Sequence, residues 1–281
     1  MNSHRVLRVI RRVLLYIGLA AYTVFLGFPI LLTLTTSLKS PRDIASTNAL
    51  QLPTELHWQN FAEAADQARI FSAGLNSLIV AVGATLLVTV VALPAAYFLA
   101  RSVSRFRGIA TGWILASQLF PFILVIVPLF LIVKQLGLID SLIGLILVYA
   151  VWALPFVLWM LRGHIAAIPL DIEEAAAMDG ASRLRTLASI VFPLLAPGLV
   201  ATSIFSFITS WNEFLIALVL IQDPALETLP VALARFVGME GQVNIGRLAA
   251  AATLSVIPSL VFFAAIQRRL ASGLLSGAIK G

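Results

Sequence analysis

Six segments of the chain run for 19 residues or more with almost no charge, and no other feature narrows the possible folds as far. They are Val13–Thr36, Ser72–Ala100, Gly108–Val133, Leu142–Leu161, Leu194–Ile221 and Leu248–Ile266. At a rise of about 1.5 Å per residue, each is long enough to cross a hydrocarbon core about 30 Å thick. Lipid offers no partner to a free backbone N–H or C=O, so the segments are expected to be helices that satisfy those groups internally. Only 11% of the residues are charged and 60% are hydrophobic, whereas soluble domains average about 25% charged. The expectation is an all-α membrane protein with six transmembrane helices, forming one membrane domain over residues 1–281. Prolines inside the segments (Pro94, Pro121, Pro128, Pro155 and Pro258) imply kinks and close interhelical packing.

The basic residues orient the chain. Thirteen of the nineteen Lys and Arg fall on one side: Arg5, Arg8, Arg11 and Arg12; Arg101, Arg105 and Arg107; Arg162, Arg183 and Arg185; Arg268, Arg269 and Lys280. Short loops rich in Lys and Arg stay in the cytoplasm. Both termini and the loop over residues 169–193 are therefore placed there. The external side receives Ser37–Phe71, Lys134–Ser141 and Gln222–Arg247, none large enough to be a domain. The net charge of +6 follows from this topology and does not point to nucleic acid. The first apolar segment is read as a retained helix, because it exceeds a signal-peptide core and no small-residue cleavage site follows it. The chain has no cysteine, which removes disulfides, thiolate nucleophiles and thiolate metal sites. His4, His57 and His164 are scattered, whereas a metal site needs clustered ligands, so no metal is expected.

One long interior segment is not apolar: EEAAAMDGASRLRTLASIVFPLL, from Glu173 to Leu195. Pro169 ends the preceding helix, and Asp171 stands at the expected N-cap with Glu174 three residues on, as in a capping box. Ile172–Asp179 reads as a short alanine-rich helix stopped by Gly180. A second short helix follows, with Leu184, Leu187, Ile190 and Val191 on one side, and Pro193 marks the turn into the fifth span.

The spacing Glu174-Ala175-Ala176, three residues, Gly180, nine residues, Ile190 and then Pro193 resembles the EAA loop of ABC importer permeases, with Phe192 where leucine is usual. Other stretches resemble the carbohydrate branch, the second permease of the maltose-type transporters in particular. They are Ser37-Leu38-Lys39, LPTELHWQNF from Leu52 to Phe61, Asn76-Ser77, Pro121 with Pro128, WNEF from Trp211 to Phe214, and the ending QRRLASGLLSGAIKG.

The resemblance implies a type I ABC importer transmembrane domain, one of two permease subunits in the inner membrane of a bacterium or archaeon. Two cytoplasmic ATPase subunits would dock on the EAA loops, and an extracytoplasmic solute-binding protein would deliver a di- or oligosaccharide. Ile172–Asp179 would be the coupling helix, with Glu173, Glu174, Ala175, Ala176, Asp179 and Gly180 as the ATPase-facing set. The chain itself would be no enzyme and bind no cofactor; ATP and Mg would belong to the ATPases. In agreement, the sequence has no G-x-x-x-x-G-K-[ST] segment to cradle phosphates.

Glu213 is the only carboxylate inside an expected span. It lies eight residues from the outer end, roughly 12 Å deep, where insertion of a charge costs about 2.5–3.5 kcal/mol at the helix centre. Two readings stand. Trp211, Asn212 and Glu213 line a solute pathway, with Gln118 and Asn76 as further candidates; or the cluster is an interhelical hydrogen bond that fixes the fifth span, with Asn76 or Gln118 as the partner. Two further readings compete with a sugar importer. A permease for another solute, such as a glycerol phosphate, keeps the EAA loop. A proton-coupled secondary transporter using Glu213 leaves it unexplained and would be expected to show internal repeats, which are not evident. A membrane enzyme needs a nucleophile–base or metal constellation, and one lone glutamate does not make one.

Overall fold

The computed structural model describes residues 3–46, 48, 50–67, 69–102, 105–236 and 244–278. Every regular element among them is a helix. Residues 237–243 of the Gln222–Arg247 loop and 279–281 of the terminal motif lie outside the described residues. The chain divides into two compact units, Met1–Ile70 with Leu233–Val256, and Phe71–Ala232 with Ile257–Gly281.

The first unit opens with the long apolar helix α1 (Ser3–Ser37), followed by α2 (Pro41–Ala45) and α3 (Gln59–Gln67). No residue of the most apolar window of α1 is buried within the chain. Side chains such as Phe25 and Ile30 therefore present a bare apolar surface, as a lipid-facing helix does. The loop after α1 folds back onto its end. The buried Asn60 amide donates to the carbonyls of Ser37 (2.9 Å) and Lys39 (3.0 Å), and His57 N–H donates to Leu38 C=O. A capping box formed by Ser40 and Asp43 starts α2. Glu63 pairs with Arg247 in the first turns of α14 (Ile245–Ala278).

The second unit holds α4 (Ile70–Arg101), α5 (Arg105–Ser117), α6 (Phe122–Gln135), α7 (Leu142–Ala166), α8 (Leu170–Met178) and α9 (Arg183–Thr186). A π-helical turn (Leu187–Val191) then leads through α10 (Phe192–Leu194) to α11 (Ala196–Trp211), α12 (Leu215–Leu220) and α13 (Leu229–Ala234). On α4, Ala84, Val88, Ala92 and Ala96 recur every fourth residue and are all buried. Small side chains at this spacing let helix backbones approach closely, which is how helices associate where lipid is as apolar as leucine. A Cβ on Gly83 would lie 2.7 Å from Ile146 on α7, and one on Gly198 of α11 would lie 2.6 Å from the His164 ring. The core then forms two clusters. Ala92, Ala96, Val157, Leu161, Ile165 and Leu195 pack near the end of α4 that carries Arg101. Val80, Ala84, Val133, Leu145, Ile216 and Leu220 pack nearer its other end.

Two expected spans are not single helices. Gly108–Val133 is divided between α5 and α6 by a break over residues 118–121. Pro121 there has no N–H to give and sterically disfavours helical geometry at Phe120. Leu194–Ile221 starts at a bend: the helical run Arg183–Leu194 and the following Ala196–Trp211 are inclined by 74°. Pro193 and Pro197 flank that bend. The same span is interrupted again at Asn212–Phe214 before α12. Ile10–Ser37, Ile70–Arg101 and Leu142–Ala166 are each long and apolar enough to cross a membrane, and the bent pair makes a fourth candidate; Phe122–Gln135 and Ile245–Val261 are shorter apolar helices.

Candidate functional site

The loop between α7 and α11 contains the helix expected there, shifted by one to two residues. Pro169 is its N-cap, with ψ 135° and no side-chain hydrogen bond, so α8 begins at Leu170. The capping box expected from Asp171 and Glu174 is not formed. Proline fixes the entry geometry instead, and Asp171 is already inside the first turn, where it and Glu173 face the positive end of the helix dipole. Gly180 ends the helix with φ +80°, a conformation that costs an L-side chain about 1–2 kcal/mol. Ala181 N–H closes back on Ala176 C=O and Gly180 N–H on Ala177 C=O, the Schellman pattern.

The residues expected to face an ATPase divide between two faces. Glu174, Ala175 and Asp179 are exposed, as is Met178 at 88%. Glu173 and Ala176 are buried. The Glu173 carboxylate accepts from the Tyr97 hydroxyl at 2.6 Å and from Arg101 Nε at 2.8 Å. Arg101 also donates to Ile168 C=O at 3.0 Å, just ahead of α8. Tyr97 and Arg101 sit one turn apart on α4, so both reach from one face. A buried carboxylate persists only when paired and hydrogen-bonded, and this one is both. Beside it lies a cavity of about 650 Å³ whose walls include Arg101, Glu173, Glu174 and Arg183. Sequence reasoning missed Tyr97 and Arg101. Arg101 was legible only as a topology charge, and Tyr97 sits in an apolar run without signal.

The polar cluster at depth is also drawn inward. Trp211 is 5% exposed and stacks on Phe207 with ring centroids 5.7 Å apart. The exposed Asn212 donates to Ile208 C=O at 2.8 Å. Glu213 Oε2 accepts from the Tyr149 hydroxyl (2.8 Å), Ile216 N–H (3.0 Å) and Ala217 N–H (3.2 Å), while Oε1 accepts from Ile216 N–H (2.9 Å). Glu213 thus caps α12 with its own carboxylate, using donors that a helix start leaves free. The interhelical partner is Tyr149 on α7, which the uniformly apolar sequence around it concealed. Asn76 and Gln118, considered as partners for Glu213, do other things. Asn76 donates to the carbonyls of Ala225 and Glu227, both at 3.0 Å, and Ser77 accepts from Leu229 N–H. The pair fastens the start of α4 to the segment before α13. Gln118 is exposed at the α5–α6 break, where Trp113, Phe120 and Trp152 help to line a cavity of about 430 Å³. Asp140 joins the α6–α7 turn to the end of α12, accepting from Gln222 N–H (2.5 Å) and Asp223 N–H (2.8 Å). Among the described residues no three His, Asp or Glu side chains converge as a metal site would require.

Residues 90–276 match the family model described as binding-protein-dependent transport system inner membrane component. A putative ABC transporter permease protein of Streptomyces antibioticus is 53% identical over 79% of this chain and 96% of its own length. The diacetylchitobiose uptake system permease protein of Streptomyces coelicolor is 38% identical over 94% of this chain and 96% of its own. The trehalose/maltose transport system permease protein of Thermococcus litoralis is 33% identical over 97% and 98%. In fold, the chain is similar to a crystal structure of a bacterial ABC transporter involved in import of the acidic polysaccharide alginate. The TM-score is 0.77 over 95% of this chain and 98% of that one, at 23% identity, a likeness of fold alone. The matched family residues take in the whole of the α8 loop, both of its anchors on α4 and the Glu213 break, and the chain belongs to the family of binding-protein-dependent transport system inner membrane components.

Proposed function

We propose that the chain is the membrane-spanning permease subunit of an ATP-driven, binding-protein-dependent importer of di- or oligosaccharides, coupling ATPase motion to alternating access. The observation that carries this is similarity over nearly the whole chain to permease proteins named for diacetylchitobiose uptake and trehalose/maltose transport, together with an EAA spacing whose Glu174-Ala175-Ala176 lies on α8. Its partners are a second permease, two cytoplasmic ATPase subunits that bind ATP and Mg, and an extracytoplasmic solute-binding protein. Hydrolysis belongs to the ATPases. The protein is a multi-pass component of the cytoplasmic membrane with both termini in the cytoplasm, forming one permease domain.

The docking role is assigned to the exposed face of α8: Glu174, Ala175, Asp179 and the Gly180 corner. Small side chains there allow close approach, and the two carboxylates suit a basic cleft. Occupation of both Glu213 oxygens by Tyr149 and the start of α12 favours a structural role for that residue over a proton carrier's. In proteoliposomes containing the assembled transporter, Glu174→Arg is expected to abolish sugar uptake and ATPase retention while the subunit still inserts. Normal uptake by this variant would remove the docking assignment.

A further inference from the structure

We propose that Glu173 does not dock an ATPase but clamps α8 to the end of α4, so that the coupling helix and α4 move as one body; this rests on the reading of α8 as the coupling element. The two glutamates that open the motif are adjacent in sequence and opposite in environment. Glu174 is exposed, while Glu173 is 9% exposed. Its two oxygens are taken separately, Oε2 by Tyr97 and Oε1 by Arg101. Arg101 then reaches past Glu173 to the Ile168 carbonyl, so one side chain holds both the entry to α8 and its first turn. Ala176, three residues on from Glu173, is buried on the same side.

The clamp matters because of how α8 is otherwise tied. Its chain connections are the corner at Pro169 and the left-handed corner at Gly180. Between two corners, a two-turn helix pushed from the cytoplasm is free to pivot, and work done on it is dissipated. Glu173 removes that freedom. Movement of α8 then displaces α4 directly. The opposite end of α4 holds the segment before α13 through Asn76 and Ser77. One helix thereby links the cytoplasmic loop to an external one. Transmission along α4 is read out by a coupling measurement.

The assembled transporter in proteoliposomes supplies it, with sugar uptake and ATP hydrolysis measured together. Glu173→Gln and Tyr97→Phe are expected to retain the ATPase and its hydrolysis while uptake per ATP falls about tenfold, a common size for coupling between linked sites. A Tyr97→Cys/Glu173→Cys variant is clean in a chain without cysteine. It should show the same loss and regain uptake per ATP when a bifunctional thiol reagent bridges the two positions. Unchanged uptake per ATP in Glu173→Gln overturns the proposal. So does a bridged variant that stays uncoupled or stops transporting, since that means α8 must slide over α4. If Glu173→Gln instead loses the ATPase altogether, Glu173 is a docking residue and the clamp is wrong. Absence of any ATPase from the wild-type complex is a distinct failure: it removes the coupling reading of α8, and the clamp with it.

Discussion

Replacing Glu213 separates a solute ligand from a structural cap, and the contacts set the size of the effect. Glu213→Ala strips the acceptor from Ile216 N–H, Ala217 N–H and the Tyr149 hydroxyl. An orphaned donor away from water costs about 1–3 kcal/mol. With Tyr149 free to reorient, the sum is about 4 kcal/mol. Glu213→Gln keeps one accepting oxygen and loses the charge, for about 2 kcal/mol, and Tyr149→Phe removes one bond to a charged group for a similar amount. Because the latter two both act on the Tyr149–Glu213 contact, the double variant should fall short of their sum. The assay is thermal unfolding of the purified complex in mild detergent, paired with the sugar concentration dependence of uptake. Glu213→Ala should lower Tm by roughly 10 °C on the scaling for domains of 150–250 residues. Glu213→Gln and Tyr149→Phe should lower it about half as far, with KM for sugar within about twofold of wild type. An unchanged Tm with KM raised tenfold or more in Glu213→Gln would refute the cap and restore Glu213 as a solute contact.

Other expectations follow from single contacts. Gly180→Leu puts a branched side chain at φ +80°, which should distort the corner after α8 and reduce co-purification of the ATPase; undiminished co-purification contradicts this. Asn76→Leu frees the carbonyls of Ala225 and Glu227, so hydrogen exchange should rise at residues 225–234 while ATPase retention is unaffected. Asp43 is held below the usual carboxylate range, chiefly by the Thr54 hydroxyl, which outweighs the opposing effect of desolvation, with Ser40 adding a smaller lowering. A carboxyl with a lowered folded pKa stabilises above its ordinary value of 3.8 and loses that contribution as pH falls through the lower folded value. The tie of Asp43 to Thr54 and Ser40 should therefore loosen only in acid below about pH 4, and Thr54→Val should narrow the difference; loosening on the alkaline side would show the sign to be wrong.

What the sequence disclosed was the part governed by one dimension: length, apolarity, charge placement and motif spacing. The helices α1, α4 and α7 and the corner at Gly180 follow from those. The breaks at Pro121 and Glu213 were less legible. Proline inside a membrane helix is tolerated at Pro94, Pro128 and Pro155, so only local packing decides which proline interrupts the helix. The pairing of Glu213 with Tyr149, 64 residues apart, and of Glu173 with Tyr97, 76 apart, is a matter of how helices register. No single-chain periodicity encodes that. Glu173 was grouped with Glu174 because both are acidic and adjacent; a helix of 3.6 residues per turn places neighbours about 100° apart, enough to put one in the core and one outside.

The central claim is that α8 couples this subunit to a separate ATPase that drives sugar import. It is tested most directly by isolating the tagged subunit in mild detergent and identifying by mass spectrometry what remains bound. The account predicts a second permease of similar size and an ATPase carrying a Walker motif, with the ATPase lost and the second permease retained in Glu174→Arg. A subunit that purifies alone and supports sugar uptake driven by a proton gradient would contradict it.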